Sequence, residues 1–349
     1  MGIPEDVKRQ QVSLDPDEPD GDSIRVYFSP SHDAPPMPSV TTIKSLRVDP
    51  EKDEALQGWR HRYDGQSQYA RPWWKDQKVF KGYRGTLIHF TILDELADAS
   101  GDTYFHEAGD SGYGHEEYYA EYALKKWSKR APSARTDEVP YTPRKNRYDG
   151  EHAWDRATRD MQWAARAFHE AIMQGTTDSA HFDWDHDDAP ACAGDLSRGN
   201  VIGVEEYVFD TDYGYGGQFD LLYESDDGKT VLADLKASSA IRLDHKLQSA
   251  AYKRAIESTR DLTVDECAII RLDPDNEVVE VSRSPDWDRS LDGLEHQFLG
   301  LADQAWNVDF TDALDRARVQ IEQEYTEHGE SRQTELDTQG PSTGNTTAD

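Results

Sequence analysis

Three consecutive runs in the middle of the chain alternate apolar and polar residues with period two: 201–209 (VIGVEEYVF), 217–224 (GQFDLLYE) and 230–237 (TVLADLKA). Alternation of this kind marks a half-buried strand, because successive side chains point to opposite faces. The breaks are turn-formers, with Gly214, Gly216 and Gly217 in the first and Ser225-Asp226-Asp227-Gly228 in the second. Helical periodicity lies on both sides, over 151–174 and 242–258; strands follow at 264–272 and 277–282, and 286–325 is mostly helical. Strands set between helices in this order predict an α/β fold with a mixed central sheet flanked by helices.

The rest of the chain is organised round that block. Pro38-Ser39-Val40-Thr41-Thr42 offers hydroxyls to cap a helix that continues through Trp59. Gly85-Thr86 is read as opening a second helix, with Ile88, Ile92 and Leu96 at helical spacing. Residues 100–118 read as a loop or insertion and 119–130 as helical; 131–150 contain Pro132, Pro140 and Pro143 and read as irregular, and 176–199 as an acidic loop. The segment 1–36, acidic and proline-rich, is expected to be mostly disordered with a short strand at 23–28, and 326–349 to be a solvated tail. What remains is one domain over 37–325: a helical part with insertions (37–199), a sheet core (200–285) and C-terminal helices (286–325).

Composition removes several alternatives. No apolar run approaches the roughly 20 residues of a membrane span, the N-terminus has no apolar core of a secretory signal, and Asp6 stands where a myristoylation motif wants Ser or Thr. Cys192 and Cys267 are the only cysteines, too few for a disulfide scaffold or a four-cysteine iron–sulfur cluster. No phosphate-binding glycine loop of the Walker type is present, so no nucleotide cofactor is expected. The 69 acidic and 38 basic residues give a net charge of −31. The excess is spread along the chain among nine Trp, 17 Tyr and ten Phe, which suits a folded protein rather than a disordered polyanion. A dense carboxylate surface is stable where salt screens self-repulsion. The expectation is a cytoplasmic protein of a halophilic host, virus-encoded genes included.

The candidate chemistry lies in the strands. Leu232, Asp234 and Lys236 share one face of the third run, and Val231, Ala233 and Leu235 the other. In the second run Phe219, Leu221 and Tyr223 are expected on one face and Asp220 on the opposite one. A hairpin closed at Asp226-Asp227-Gly228 would bring Asp220 and Asp234 together beside Lys236. Two carboxylates and an ammonium at one point suit a hard divalent cation and an activated water. Against this stands a plain surface ion pair between Asp234 and Lys236 in an acid-rich chain.

In order, these residues resemble the core of the RecB-like nucleases of the PD-(D/E)XK superfamily. The likeness is nearest to phage-type exonucleases and the mitochondrial genome-maintenance exonuclease. Their pattern is a Glu before a glycine-rich turn, then G-x-x-D, D-x-K on the next strand and Q-x-x-x-Y on the following helix. Glu205 (or its neighbour Glu206), Gly217 to Asp220, Asp234-Leu235-Lys236 and Gln248 with Tyr252 match it. Upstream, 39–96 resembles the family's serine–x–threonine helix start, Trp-bearing helix and G-T-x-x-H helix. The resemblance implies a restriction-endonuclease-like core with an N-terminal helical part. It implies that His89, Asp220, Asp234 and the carbonyl of Leu235 bind Mg²⁺ or Mn²⁺. Lys236 would orient or deprotonate the attacking water, Glu205 would edge the metal site, and Gln248 and Tyr252 would support it and contact the DNA backbone. His89 alone could equally be a core histidine, and Gln248 with Tyr252 a helix-packing pair. Asp244, His245 and Lys246 read as a solvated helix start, and the acids of 183–188 as an acidic loop.

One stretch reverses the local charge. Residues 125–147 hold Lys125, Lys126, Lys129, Arg130, Arg135, Arg144, Lys145 and Arg147, interleaved with Trp127 and Tyr141; Arg156, Arg159 and Arg166 follow. Basic and aromatic residues in alternation suit a nucleic-acid strand, and neighbouring carboxylates are the competing partners. The expected function is a metal-dependent DNA nuclease, an exonuclease on ends in replication, recombination or repair. The alternatives are an endonuclease on the same fold and a nuclease-like protein that binds without cutting. DNA is the expected partner, no membrane is involved, and homo-oligomers or association with replication and recombination proteins are compatible.

Overall fold

The computed structural model describes residues 8–14, 23–28, 36–47, 50–62, 73–97, 153–173, 183–184, 196 and 200–319. Six strands form the main sheet: β4 (Asp183–Trp184), β5 (Val201–Val204), β8 (Leu221–Glu224), β9 (Thr230–Lys236), β10 (Glu266–Asp273) and β11 (Val278–Arg283), in the spatial order β4-β11-β10-β9-β8-β5. The sheet is mixed. The β8–β9 and β10–β11 pairs are antiparallel hairpins, whereas β9 and β10 run parallel, joined through helix α5 (Leu243–Thr259). A parallel pair needs such a crossover, and its helix must then cover one face of the sheet. The α/β class with a mixed sheet is therefore present.

The alternation of β9 divides two cores. Val231, Ala233 and Leu235 face one core, with α3 (Trp73–Ala97) and α4 (Ala153–Phe168) packed over them through Leu87, Ile88, Met161 and Ala164. Leu232 faces the other, where α5, α6 (Leu291–Gln304) and α1 (Val40–Lys44) meet. A sheet covered on both sides favours apolar residues on each face, and Asp234 and Lys236, on the face of Leu232, depart from that. Buried charges tie α3 and α4 to the turn after β10. Arg84 meets Asp160 at 2.9 Å and grips Asp275 through both terminal nitrogens, at 2.7 and 3.1 Å, and Arg156 also pairs with Asp275. Among the described residues no helix is long and apolar enough to cross a membrane.

Several expectations need correction. In the segment 1–36 the strand expected at 23–28 is present as β2 (Ser23–Phe28), but it pairs antiparallel with an unexpected strand, β1 (Lys8–Ser13), and with β3 (Met37–Pro38). The helix expected to continue from Ser39 through Trp59 is two, α1 and α2 (Pro50–Arg62). Helix α3 does not open at Gly85-Thr86; it starts at Trp73 and runs through both Gly82 and Gly85. Neither glycine leaves a left-handed backbone there, so the punctuation that glycine suggests is absent. Within the acidic loop 176–199, Asp183–Trp184 pairs in parallel with β11. The runs 201–209 and 217–224 are not single strands. Each breaks in two, giving a separate two-stranded sheet of β6 (Tyr207–Asp210) and β7 (Tyr215–Gln218). Consequently Phe219 lies in the α5 core while Leu221 and Tyr223 lie in the α3 core, contrary to the single face expected for all three. The helix expected over 119–130 and the basic residues Lys125, Lys126, Lys129 and Arg130 lie outside the described residues.

Candidate active site

The two strand breaks occur at Glu205 and Asp220, and they are stitched to each other. The Glu205 N–H donates to the Asp220 carbonyl at 2.9 Å, Gln218 Nε2 donates to the Glu205 carbonyl at 2.7 Å, and the Phe219 N–H to the Glu206 carbonyl at 3.1 Å. Glu205 takes a left-handed φ of 48°, a conformation costly for a residue with a Cβ. The kink releases Asp220 from the ladder. Its side chain crosses to β9, where Oδ2 accepts the Leu235 N–H at 2.8 Å.

Asp234 sits beside it on β9, only 3% exposed. Its Oδ1 accepts from Lys236 Nζ at 2.6 Å, with a longer contact from Gln248 Nε2 at 3.4 Å. Its Oδ2 is buried and accepts no hydrogen bond among the described residues. A buried carboxylate oxygen without a donor is costly. Burial pushes both acids above the ordinary carboxylate range: for Asp234 Lys236 opposes the rise and Asp220 adds to it, and for Asp220 Lys236 and the Leu235 N–H oppose it. Burial alone would lower Lys236, but Asp234 and Asp220 more than offset it and hold the ammonium protonated.

His89 reaches the same place from α3. Its Nδ1 is 3.7 Å from Asp220 Oδ2, beyond hydrogen-bond range. Burial, then the charge of Lys236, lowers its pKa to about 4, while Asp234 and the Leu235 backbone pull the other way. The imidazole is therefore neutral at physiological pH, the form that ligates metals. Gln248 and Tyr252, one turn apart on α5, come from the opposite side, with Gln248 Nε2 3.5 Å from Tyr252 Oη. A Cβ on Gly217 would come within 2.4 Å of the Tyr252 ring, so the glycine of β7 is what lets the tyrosine in. The fold thus brings His89, Asp220, Asp234, Leu235, Lys236, Gln248 and Tyr252 together. Glu205 joins through its backbone, and its alternative Glu206 pairs with Arg260.

Three residues of this region were not anticipated as part of it. Lys44, at the end of α1, donates to Gln248 Oε1. Asp244, expected in a solvated helix start, is 7% exposed and paired with Arg47 at 2.9 Å. His245 Nδ1 accepts the Arg242 N–H at 3.3 Å, and burial, followed by the charges of Lys236 and Lys44, lowers its pKa to about 3. Helical spacing alone could have placed His245 one turn before Ser249 and three residues before Gln248; nothing local marks Lys44, which arrives from 204 residues away. Arg156, grouped with the basic stretch, is instead 1% exposed within the Arg84–Asp275 network and unavailable to a ligand.

The donor set suits a hard divalent cation: two adjacent carboxylates, a neutral imidazole and a backbone carbonyl, with Asp234 Oδ2 carrying an unmet acceptor. The imidazole favours Mn²⁺ over Mg²⁺. Among the described residues no three His, Cys, Asp or Glu side chains already stand in metal-binding geometry. Asp234 and Asp220 are held instead by Lys236 and the Leu235 N–H. No protein-family model matches the chain, and no curated protein matches it in sequence.

Proposed function

We propose that this chain is a divalent-cation-dependent deoxyribonuclease with a PD-(D/E)XK-type core, hydrolysing phosphodiester bonds at DNA ends. The observation that carries the reading is Asp234: a buried carboxylate bound on one oxygen by Lys236 and left bare on the other, with Asp220 beside it. Burying two carboxylates and a lysine is a poor way to stabilise a fold, and perturbed groups gathered at one point are what hydrolytic chemistry needs. The order of Glu205, Asp220, Asp234, Lys236, Gln248 and Tyr252 along the chain supports the same reading.

A divalent cation held by Asp220, Asp234, His89 and the Leu235 carbonyl would supply Lewis acidity toward the scissile phosphate and an acidified water. Lys236 stays protonated beside two acids, so its contribution is to orient that water and to neutralise charge developing on the phosphate oxygens, rather than to take a proton. Gln248 keeps Asp234 in place through Oδ1. Water is the nucleophile, and no side chain need form a covalent intermediate.

The test is incubation of the full-length protein in molar KCl with end-labelled linear DNA and covalently closed circular DNA, with Mn²⁺, Mg²⁺ or EDTA. Metal-dependent loss of the linear DNA alone supports the exonuclease. Cutting of circles would move the assignment to an endonuclease, and binding without cutting in either metal would reject hydrolysis.

A further inference from the structure

Helix α1 is five residues long, yet its position is fixed from several directions. Ser39 caps it, Oγ accepting the Thr42 N–H at 3.0 Å; Thr42 Oγ1 accepts the Arg25 N–H of β2 at 3.0 Å; and the Ser39 N–H donates to the Arg25 carbonyl at 2.8 Å. Ser39 also bridges Gly216 of β7, and Val40 and Ile43 are fully buried. Beyond the helix, Arg47 clamps Asp244 at the start of α5. The last residue of α1, Lys44, is thereby held over Gln248 and donates to its Oε1.

That contact has a directional consequence. A glutamine amide is a donor at one end and an acceptor at the other, and an ammonium can only donate. With Oε1 taken by Lys44, the amide NH₂ must face away from it, and there it meets Asp234 Oδ1 and Tyr252 Oη. Lys236 donates to the same Oδ1. Both donors thus fall on one oxygen of Asp234 and none on the other. We propose that Lys44 is a positioning residue: it locks the Gln248 amide with its NH₂ toward Asp234 Oδ1, so that Asp234 presents Oδ2 to the divalent cation. This rests on the hydrolase reading above. Without Lys44 the amide loses its anchor at Oε1 and keeps only the long contacts of its NH₂, at 3.4 Å to Asp234 and 3.5 Å to Tyr252, so Asp234 Oδ1 is held less firmly.

The sign of the effect separates this from the simplest rival. If Lys44 acted only through its charge, removing a cation near two acids would strengthen metal binding. If it acts through Gln248, removal weakens it, by roughly tenfold, as loss of an outer partner of a ligand does. The measurement is the Mn²⁺ dissociation constant of the full-length protein, from the electron paramagnetic resonance of free Mn²⁺, for wild type, Lys44→Met, Lys44→Gln, Lys44→Arg, Gln248→Met, Lys44→Met/Gln248→Met and Asp234→Asn. Circular dichroism in EDTA identifies variants that have not folded, with Lys44→Gln standing in if Lys44→Met is one of them. The expected result is weaker binding in Lys44→Met and Lys44→Gln, recovery in Lys44→Arg, and no further loss when Lys44→Met is added to Gln248→Met. Unchanged or tighter binding in Lys44→Met, or an undiminished effect in the Gln248→Met background, would overturn the proposal while Asp234→Asn still abolished binding and left the cation site standing. Absence of Mn²⁺ binding in wild type would overturn both.

Discussion

Asp220 and Asp234 show what the site costs. Both are buried, which raises both; Asp220 adds to the rise of Asp234, whereas Lys236, the Leu235 N–H and Asp234 itself oppose that of Asp220. The sign of the pH dependence follows. A carboxyl whose folded pKa lies above its unfolded value favours the fold when protonated, and that contribution is lost as pH rises through the folded value. At neutral pH, Asp220 therefore destabilises the metal-free fold. Asp220→Asn keeps an acceptor for the Leu235 N–H and leaves Lys236 its 2.6 Å partner in Asp234. It should raise the melting temperature in EDTA by a few degrees at pH 7, with the gain shrinking as pH falls through the raised carboxyl pKa. Thermal melts across pH check this; a lower melting temperature at pH 7 would show that the charge stabilises the fold. At this scale much was legible: the period-two faces put Asp234 and Lys236 together, and the Asp-Asp-Gly turn set Asp220 against them. Lys44 was not, because its partner is distant in sequence and no local pattern encodes that contact.

The elements hold a related lesson. Alternation persists across 201–209 and 217–224, so pattern alone reads each as one strand. Alternation in sequence carries on across a break, but the break turns the residues beyond it to the other face, as Phe219 against Leu221 and Tyr223 shows, and the left-handed φ of Glu205 marks the partner break. Both breaks fall at the site, and the bond between Glu205 and Asp220 makes them a single kink. Kinks and bulges that re-aim a side chain are frequent beside active sites. Glu205→Gly should relieve the left-handed strain and raise stability by about 1 kcal/mol, measured by denaturant unfolding. A loss of stability would mean that the Glu205 side chain anchors the kink more than its backbone strains it. The start of α3 was misplaced for the opposite reason: Gly82 and Gly85 look like punctuation, but tertiary packing of Leu87, Ile88 and Ile92 carries the helix through them.

For the whole molecule, the net charge of −31 sets the conditions under which these elements assemble. Inside, charge is balanced in closed groups such as Arg84, Arg156, Asp160 and Asp275, which salt hardly screens; outside, like charges repel and salt matters. The melting temperature should climb steeply between 0.1 and roughly 2 M KCl, as the screening length falls from about 10 Å to below 3 Å. A flat response would show that the surface acids do not limit stability. The α/β class was legible from the order of strands and helices, since a parallel β9–β10 pair leaves few arrangements for the helix between them. The pairing of β1 with β2 was not, because an acidic, proline-rich segment looks unable to bury a core; Val12, Ile24 and Val26 nevertheless join the one under α5.

In the proposed function Asp234 and Lys236 form a hydrolytic centre rather than a structural ion pair. Single-turnover cleavage of end-labelled linear DNA with Mn²⁺ in molar KCl, compared among wild type, Asp234→Asn and Lys236→Ala at saturating protein, tests it most directly. The expected result is metal-dependent cleavage by wild type and a loss of at least about 10²-fold in each variant, with DNA binding retained in Lys236→Ala. Cleavage at the wild-type rate in both variants would contradict it.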